Sequence, residues 1–282
     1  MKPFLNWAGG KRWLVASQAH LLPASPQRLV EPFVGSGVVF FHLRPDSALL
    51  SDVNAQLIET YTVVRDEPEE VLASLRVHDA KHSKEHYYEV RASVPQTPAQ
   101  RAARFIYLNR TCFNGLYRVN RKGEFNVPMG SKTSVLRPDD DYFAWAELLK
   151  GATLVAQDFA QSIASAGRGD FIYVDPPYTV KHNMNNFVKY NEEIFSWQDQ
   201  VRLAQCLQKA TQRGVRVIAS NADSESVRDL YSTQGWVLIR VSRQARLAAS
   251  SANRKRTTEI VLSNCLTEDG HHTSPRECDE SE

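Results

Sequence analysis

Asp170-Phe171-Ile172-Tyr173-Val174-Asp175-Pro176-Pro177-Tyr178 is the stretch whose reading decides the fold. Phe171 to Val174 is a short, apolar, β-rich run bounded by Asp170 on one side and two prolines on the other, which predicts a buried strand. Asp175 to Tyr178 then falls where the strand ends and its loop begins, the place where open α/β sheets carry their chemistry. A carboxylate, a rigid backbone and an aromatic face together suit a flat ring with an exocyclic amine. Asp175 can accept one amine N–H, the Pro176 carbonyl the other, and Tyr178 can stack on the ring. The plain alternative is a strand stopped by prolines beside an incidental aspartate.

Working outward, Glu31-Pro32-Phe33-Val34-Gly35-Ser36-Gly37 follows the apolar pair Leu29-Val30 and precedes an apolar helical run, Val38 to Leu43. A strand, a Gly-x-Gly turn and a helix cradle a nucleoside-type cofactor, since glycine admits close backbone approach and the helix start offers free N–H groups. The third glycine of the dinucleotide fingerprint is absent, with Phe40 in the region, which argues against a nicotinamide enzyme. Ala48 to Asn54 predicts a second strand ending in an acid, Asp52, which would hold ribose hydroxyls or cap the helix expected from Ala55 to Val64. Further strands are expected at Ala152–Ala156, Val215–Ala219, Trp236–Val241 and Glu259–Leu262, with a helix capped by Ser196 and ended by Gly214. Strands alternating with helices predict an α/β, doubly wound sheet.

The order of these elements resembles the Dam-type N6-adenine DNA methyltransferases (D12 class, alpha group). So do the blocks Phe4-Leu5-Asn6-Trp7-Ala8-Gly9-Gly10-Lys11, Leu108 to Arg118, and Gly123 to Gly130. The resemblance covers about residues 4 to 263. It implies a Rossmann-like, S-adenosylmethionine-dependent core with an inserted, mostly helical DNA-recognition domain. The implied reaction is methyl transfer to N6 of adenine in double-stranded DNA, within GATC and by base flipping. Asp175, Pro176, Pro177 and Tyr178 would be catalytic. Trp7, Ala8, Gly9, Lys11, Phe33, Gly35, Asp52, Asp158 and Phe159 would bind the cofactor. Arg110, Phe113, Asn114, Leu116, Arg118, Pro128, Lys132, Arg254 and Lys255 would meet DNA. Within that set Phe113 resembles the family's duplex wedge, against a loop aromatic packed on its own domain. Arg118 is the expected reader of guanine. The chain departs from the family at Asn6, where a basic residue is usual, and at Ser131 and Lys132, where Arg and Tyr are usual, so altered reading of the first base pair is expected.

Charge fits a DNA partner once its distribution is read. The net charge is +2, but from Thr267 onward six acids face one arginine, giving −5 and leaving +7 on the preceding residues. Basic residues cluster at 101–132 and again at 240–256, interleaved with aromatic and small polar residues. Four scattered cysteines, without metal spacing, point to a reducing compartment and to no metal site. His78, His82 and His86 share a helix spacing and are expected as exposed polar surface. Lacking a signal-peptide core or a membrane-length apolar run, the protein is expected to be cytoplasmic, nucleoid-associated through DNA and monomeric, without an obligate protein partner. The expected domains are a core at 1–55 and 146–266, a recognition insert at 56–145 and a disordered acidic tail at 267–282, with an active-site lid at Pro177–Tyr190. Rival readings are N4-cytosine or RNA methylation, and a non-catalytic DNA-binding regulator.

Overall fold

The computed structural model describes residues 1–120, 122–179, 195–232, 235–244 and 256–273, with backbone alone at 242–244, 256 and 257. The chain divides into two compact units, residues 1–11 with 34–157, and residues 12–33 with 158–282. The expected insert, 56–145, lies whole within the first.

In chain order the helices are α1 (Arg12–Ser17), α2 (Val38–Leu43), α3 (Ala55–Asp66), α4 (Pro68–Ala80), α5 (Lys84–Ala92), α6 (Pro98–Thr111), α7 (Tyr142–Leu149), α8 (Phe159–Ala164), α9 (Trp197–Gln212) and α10 (Glu225–Ser232). The strands are β1 (Arg28–Glu31), β2 (Ala48–Asp52), β3 (Ala152–Ala156), β4 (Asp170–Val174), β5 (Arg216–Ala222), β6 (Val237–Gln244) and β7 (Arg256–Ser263). These seven strands alternate with helices as expected of an α/β, Rossmann-like methyltransferase class.

In the first unit β2 and β3 pair in parallel, Leu50 opposite Leu154. Helix starts there follow local chemistry: Asn54 caps α3 by accepting from Gln56 and Leu57 N–H, while Pro68 and Pro98 open α4 and α6. Asn54, not Asp52, is therefore the cap. Phe4, Phe41, Tyr61 and Trp145 pack edge to face, tilted and stacked, at centroid distances of 4.9 to 6.4 Å, and all four are buried.

In the second unit the strand order is β1-β4-β5-β7-β6, with β1, β4 and β5 parallel and β5, β7 and β6 antiparallel. β4 has a strand paired on each side, and Phe171, Ile172 and Val174, which point to alternate faces, are fully buried, as in a parallel strand covered on both faces. Ser196 starts α9 with a reciprocal capping box to Asp199, and Gly214, at φ +77°, ends it. The chain leaves the sheet of this unit after β1 and returns to it as β4, directly beside β1. Ligands of open α/β sheets bind outside the carboxyl ends of such strands.

Two expectations need correction. Residues 267–273, assigned to a disordered tail, fold back on the sheet's last residues. Thr267 N–H donates to the His271 carbonyl (2.7 Å), Thr273 N–H to the Cys265 carbonyl (3.0 Å), and Gly270 is buried against Leu21. Residues 274–282 lie outside the described residues.

The three histidines are not free surface either. They are half-buried around Tyr107, which stacks with His78 at 4.9 Å and shares a hydrogen bond with His82 Nδ1 (2.9 Å). His78 Nδ1 lies 3.1 Å from His86 Nε2, and no group of three metal-capable side chains occurs among the described residues. Burial first, then His86 and Lys81, push His78 down to about 4. Unfolded His78 takes up a proton near pH 6.5 and folded His78 does not until about pH 4. Its contribution to stability is therefore present above 6.5 and lost as pH falls toward 4. Urea unfolding at about pH 7 and about pH 5 should show a smaller pH-dependent loss in His78→Gln than in the parent. The same loss in both proteins would refute this.

Candidate active site

The stretch expected to be catalytic, Asp175 to Tyr178, belongs to the second unit. Asp175 follows the last residue of β4 and is half-buried, Pro176 is buried, and Pro177 and Tyr178 are half-buried. Two consecutive prolines fix φ at two positions and donate nothing, so the chain leaves the sheet in one direction. Tyr178 is held by its hydroxyl, which donates to Glu259 Oε2 at 2.7 Å. The next residue, Thr179, is buried and donates to the Phe195 carbonyl at 2.5 Å. That bond joins the two ends of segment 180–194, in which most of the expected lid falls and which lies outside the described residues. Burial first, then Asp175 and Glu259, push the Tyr178 hydroxyl well above its ordinary value, so it stays protonated and donates.

Beside β4, the carboxyl end of β1 carries Glu31, Pro32 and Phe33. Phe33 stacks on Phe159 at 5.3 Å and meets Phe195 edge-on at 5.7 Å. Asp158 caps α8 by accepting from Ala160 N–H (2.9 Å), and its two oxygens also receive a fork from Arg202, both bonds 2.8 Å. The Arg202 guanidinium lies 4.1 Å over the Phe159 ring and, through its bonds to Asp158, holds that carboxyl below the usual range. Asp158 and Phe159 are thus together, as expected. Arg202, the sixth residue of α9, was missed because nothing local distinguishes it from a solvated arginine.

The first unit assembles the other glycine-rich elements. Gly35 has φ +47°, and a Cβ there would lie 2.8 Å from Trp7 Cδ1, so only glycine lets the turn meet the indole. Asp52, at the end of β2, accepts from Asn54 N–H (3.0 Å) and Gly35 N–H (3.4 Å). Burial raises its pKa despite these bonds. The Tyr61 hydroxyl donates to the Gly35 carbonyl at 3.1 Å, fixing the turn from behind. Trp7 stacks with Tyr117 (5.7 Å) and Phe105 (6.5 Å). Ala8 and Gly9 are exposed, whereas Lys11 is buried and its ammonium donates to the Gly9 carbonyl at 2.7 Å. Trp7, Gly35 and Asp52 are therefore neighbours, although β1 and β2 separate them in sequence.

The DNA candidates divide sharply. Residues 112–120 and 122–129 form a narrow ribbon, with Cys112 bridging Met129 and Val119 bridging Phe125. Gly130 comes so close to Cys112 that a Cβ would sit 2.5 Å from its carbonyl oxygen. On this ribbon Phe113 is 52% exposed, Asn114 (φ 56°) and Pro128 are exposed, Leu116 is half-buried, and exposed Arg118 donates to Asn126 Oδ1 at 2.7 Å. Lys132 is exposed, and its carbonyl meets His82. Arg254 and Lys255 lie outside the described residues.

Arg110 is a correction. It is 2% exposed, donating to the Phe4 carbonyl (2.9 Å), the Val135 carbonyl (2.8 Å) and both oxygens of buried Asp140. Its guanidinium is consumed inside the protein and offers nothing to a phosphate. Asn6 is likewise anchored. Its backbone exchanges two 2.8 Å hydrogen bonds with Asn109, and its side-chain oxygen accepts from Arg137 at 3.0 Å.

Comparison with known proteins agrees with the order of these elements. The family described as D12 class N6 adenine-specific DNA methyltransferase matches residues 7–245. The chain is similar to the Type II methyltransferase M1.LlaDCHI of Lactococcus lactis subsp. cremoris, 36% identical over 273 residues covering 94% of this chain and 95% of the relative. It is also similar to the DNA adenine methylase of Serratia marcescens, 34% identical over 92% of this chain and 97% of that one. With the DNA adenine methylase of Escherichia coli K12 it is 33% identical over 92% of this chain and 94% of that one.

Proposed function

Because the chain belongs to the D12 class of N6 adenine-specific DNA methyltransferases, we propose that it methylates N6 of adenine within GATC, taking the methyl group from S-adenosylmethionine and the base from a flipped-out position. The observation that carries this reading is the placement of Asp175-Pro176-Pro177-Tyr178 at the carboxyl end of a buried parallel strand, next to the strand that ends in Glu31-Pro32-Phe33.

The residues present fit the cofactor. In the first unit Gly35 leaves room where a Cβ would strike Trp7, and the Asp52 carboxylate at the end of β2 suits ribose hydroxyls. Ala8, Gly9 and Lys11 flank Gly10, whose Cα faces Ser36 of the same turn closely enough that a Cβ would lie 3.4 Å from the serine Oγ. In the second unit Phe33 and Phe159 offer apolar faces, and Asp158 keeps lone pairs beyond those used by Arg202. S-adenosylmethionine, when bound, supplies a methyl group already activated by its sulfonium. The protein's task is then to place the acceptor in line, which accounts for effective molarities on the order of 10⁵–10⁸ M.

Adenine N6 is a weak nucleophile because its lone pair is delocalised into the ring. Asp175 and the Pro176 carbonyl accept hydrogen bonds from its two N–H groups, direct the lone pair outward and stabilise the positive charge that develops on nitrogen, and after transfer one N–H proton leaves by way of Asp175 to solvent. Tyr178 stacks on the extruded base, offsetting part of an unstacking cost of roughly a few kcal/mol. Residues 56–145 form the recognition part of a monomer. Phe113 enters the duplex, Arg118 reads a guanine, and Asn114, Leu116, Pro128 and Lys132 line the contact. Arg254 and Lys255 add phosphate contacts.

The test is mass spectrometry of nucleosides from unmethylated DNA incubated with the purified protein and S-adenosylmethionine, followed by mapping of the modified positions. N6-methyladenine confined to GATC is the expected result. N4-methylcytosine, or no modified base from protein that retains DNA, would overturn the reading. Methylation spread over sites altered at the first base pair would assign the departure to Asn6, Ser131 and Lys132.

A further inference from the structure

Glu259 has no counterpart in the reaction as described so far, yet it is placed to govern it. It is 3% exposed and sits inside β7, with Ala222 of β5 opposite it on one side and Val241 of β6 on the other. A carboxylate in a central strand is costly unless it is bound, and this one receives the Tyr178 hydroxyl at 2.7 Å. The bond spans 81 residues of sequence and ties a loop to the middle of a sheet. Tyr173, one residue before the end of β4, carries a second buried hydroxyl, 3.0 Å from Ser220 Oγ. It is pushed well above its ordinary value by burial, then by Asp175, with smaller contributions from Glu31 and Glu259. The carboxylates of Glu31, Asp175 and Glu259 thus all act on the tyrosine pair of β4 and its loop.

Among these groups Glu259 differs in being held by a strand on each side, whereas Tyr178 stands on a loop. Two prolines precede Tyr178 and the Thr179–Phe195 bond follows it, and both act on the backbone. The hydroxyl tether anchors the outer end of the ring itself. We propose that Glu259 is a positioning residue that, by accepting the Tyr178 hydroxyl, fixes where the ring on which the target adenine stacks is held and so keeps N6 in register with Asp175. This rests on the reading of Tyr178 as the stacking residue.

The variants that test it are Glu259→Ala, Glu259→Gln, Tyr178→Phe and the double variant Glu259→Ala/Tyr178→Phe, compared with Tyr178→Ala. Rates are measured on GATC duplex, cofactor affinity by calorimetry, and base extrusion by the fluorescence of 2-aminopurine at the target position. Because a misplacement of about 1 Å can cost about 10²-fold, Glu259→Ala is expected to lower kcat by tens of fold with KM for DNA and cofactor affinity within about threefold. Glutamine still offers an acceptor oxygen, so Glu259→Gln should recover most of kcat. Tyr178→Phe cuts the same bond from the other end, and the double variant should be no slower than the worse single one. Extrusion fluorescence should rise in all of them, since the base still leaves the stack.

Full kcat in Glu259→Ala and in Tyr178→Phe, or losses that multiply in the double variant, would overturn the proposal. So would a lowered melting temperature with unchanged turnover per folded molecule. Should Glu259→Ala not fold, Tyr178→Phe and Glu259→Gln carry the same comparison. An inactive Tyr178→Ala beside a normal Glu259→Ala sinks only the positioning role, whereas an active Tyr178→Ala sinks the stacking reading beneath it.

Discussion

Asp175→Ala is expected to lower methyl transfer by about 10³-fold or more while leaving S-adenosylmethionine affinity within about threefold. The reason lies in where the residue stands and in what adenine lacks. Asp175 is the first residue beyond β4, next to a proline whose carbonyl cannot be replaced by any side-chain change. On the proposed reading, removing the carboxylate takes away one of two acceptors on the amine and the only one carrying charge. The lone pair then falls back into the ring, and the cation developing on nitrogen loses its counter-charge in a site where water is a poor substitute. Glycine turns, Trp7 and Asp52 belong to the other compact unit and are untouched, so cofactor binding should survive. Asp175→Asn separates the two contributions. Its oxygen still accepts an N–H but carries no charge, so an intermediate loss, roughly 10- to 10²-fold, is expected. Single-turnover rates with saturating cofactor check both. An alanine variant that keeps near-normal rates would remove Asp175 from the chemistry and, with it, the reading of the whole loop.

Most of the scaffold could be read from residues, because its signals are local. An apolar run closed by prolines, a Gly-x-Gly turn before an apolar helix, and a serine three residues before an acid each specify a strand, a turn or a cap without reference to the rest of the chain. Hence β3 and β4, α2 and the start of α9 fall where the pattern puts them. What could not be read was decided by distant partners. Arg202 pairs with Asp158 from 44 residues away and Glu259 binds Tyr178 from 81. Glu259 in particular looks like the solvent side of a strand until β5 and β6 are placed on both its edges. The histidines repeat every four residues, which reads as one polar helix face. The chain instead breaks between α4 and α5, and the side chains turn inward around Tyr107. Asp52 shows the same limit at short range. Residues alone leave Asp52 open as a ribose ligand or a cap without pointing to Asn54, and only the geometry of the β2 terminus assigns the cap to Asn54 and aims Asp52 at the Gly35 turn.

Arg110 and Arg118, eight residues apart in one basic stretch, should separate completely on mutation. Arg110→Ala removes one partner of a buried ion pair in which the two side chains are 1% and 7% exposed. Asp140 would be left charged in the interior, and the carbonyls of Phe4 and Val135 would lose their donors. Breaking such a pair from one side costs about 3–5 kcal/mol, which for a protein of this size lowers the melting temperature by on the order of 10 °C. Below that temperature its DNA affinity and site preference should match the parent. Arg118→Ala should do the reverse. Its side chain is exposed and its Asn126 bond lies on the surface, so melting should move by no more than about 1 °C. Discrimination at one base pair of the site should weaken by about 1–3 kcal/mol. Calorimetric melting together with rates on GATC and singly altered duplexes reads both variants. If Arg110→Ala melted like the parent and bound DNA weakly, the buried pair would not hold the fold, and Arg110 would belong on the DNA face after all. If instead only Arg118→Ala changes site choice, basic residues in this stretch divide by burial, with those inside holding the ribbon's base and those outside meeting the duplex.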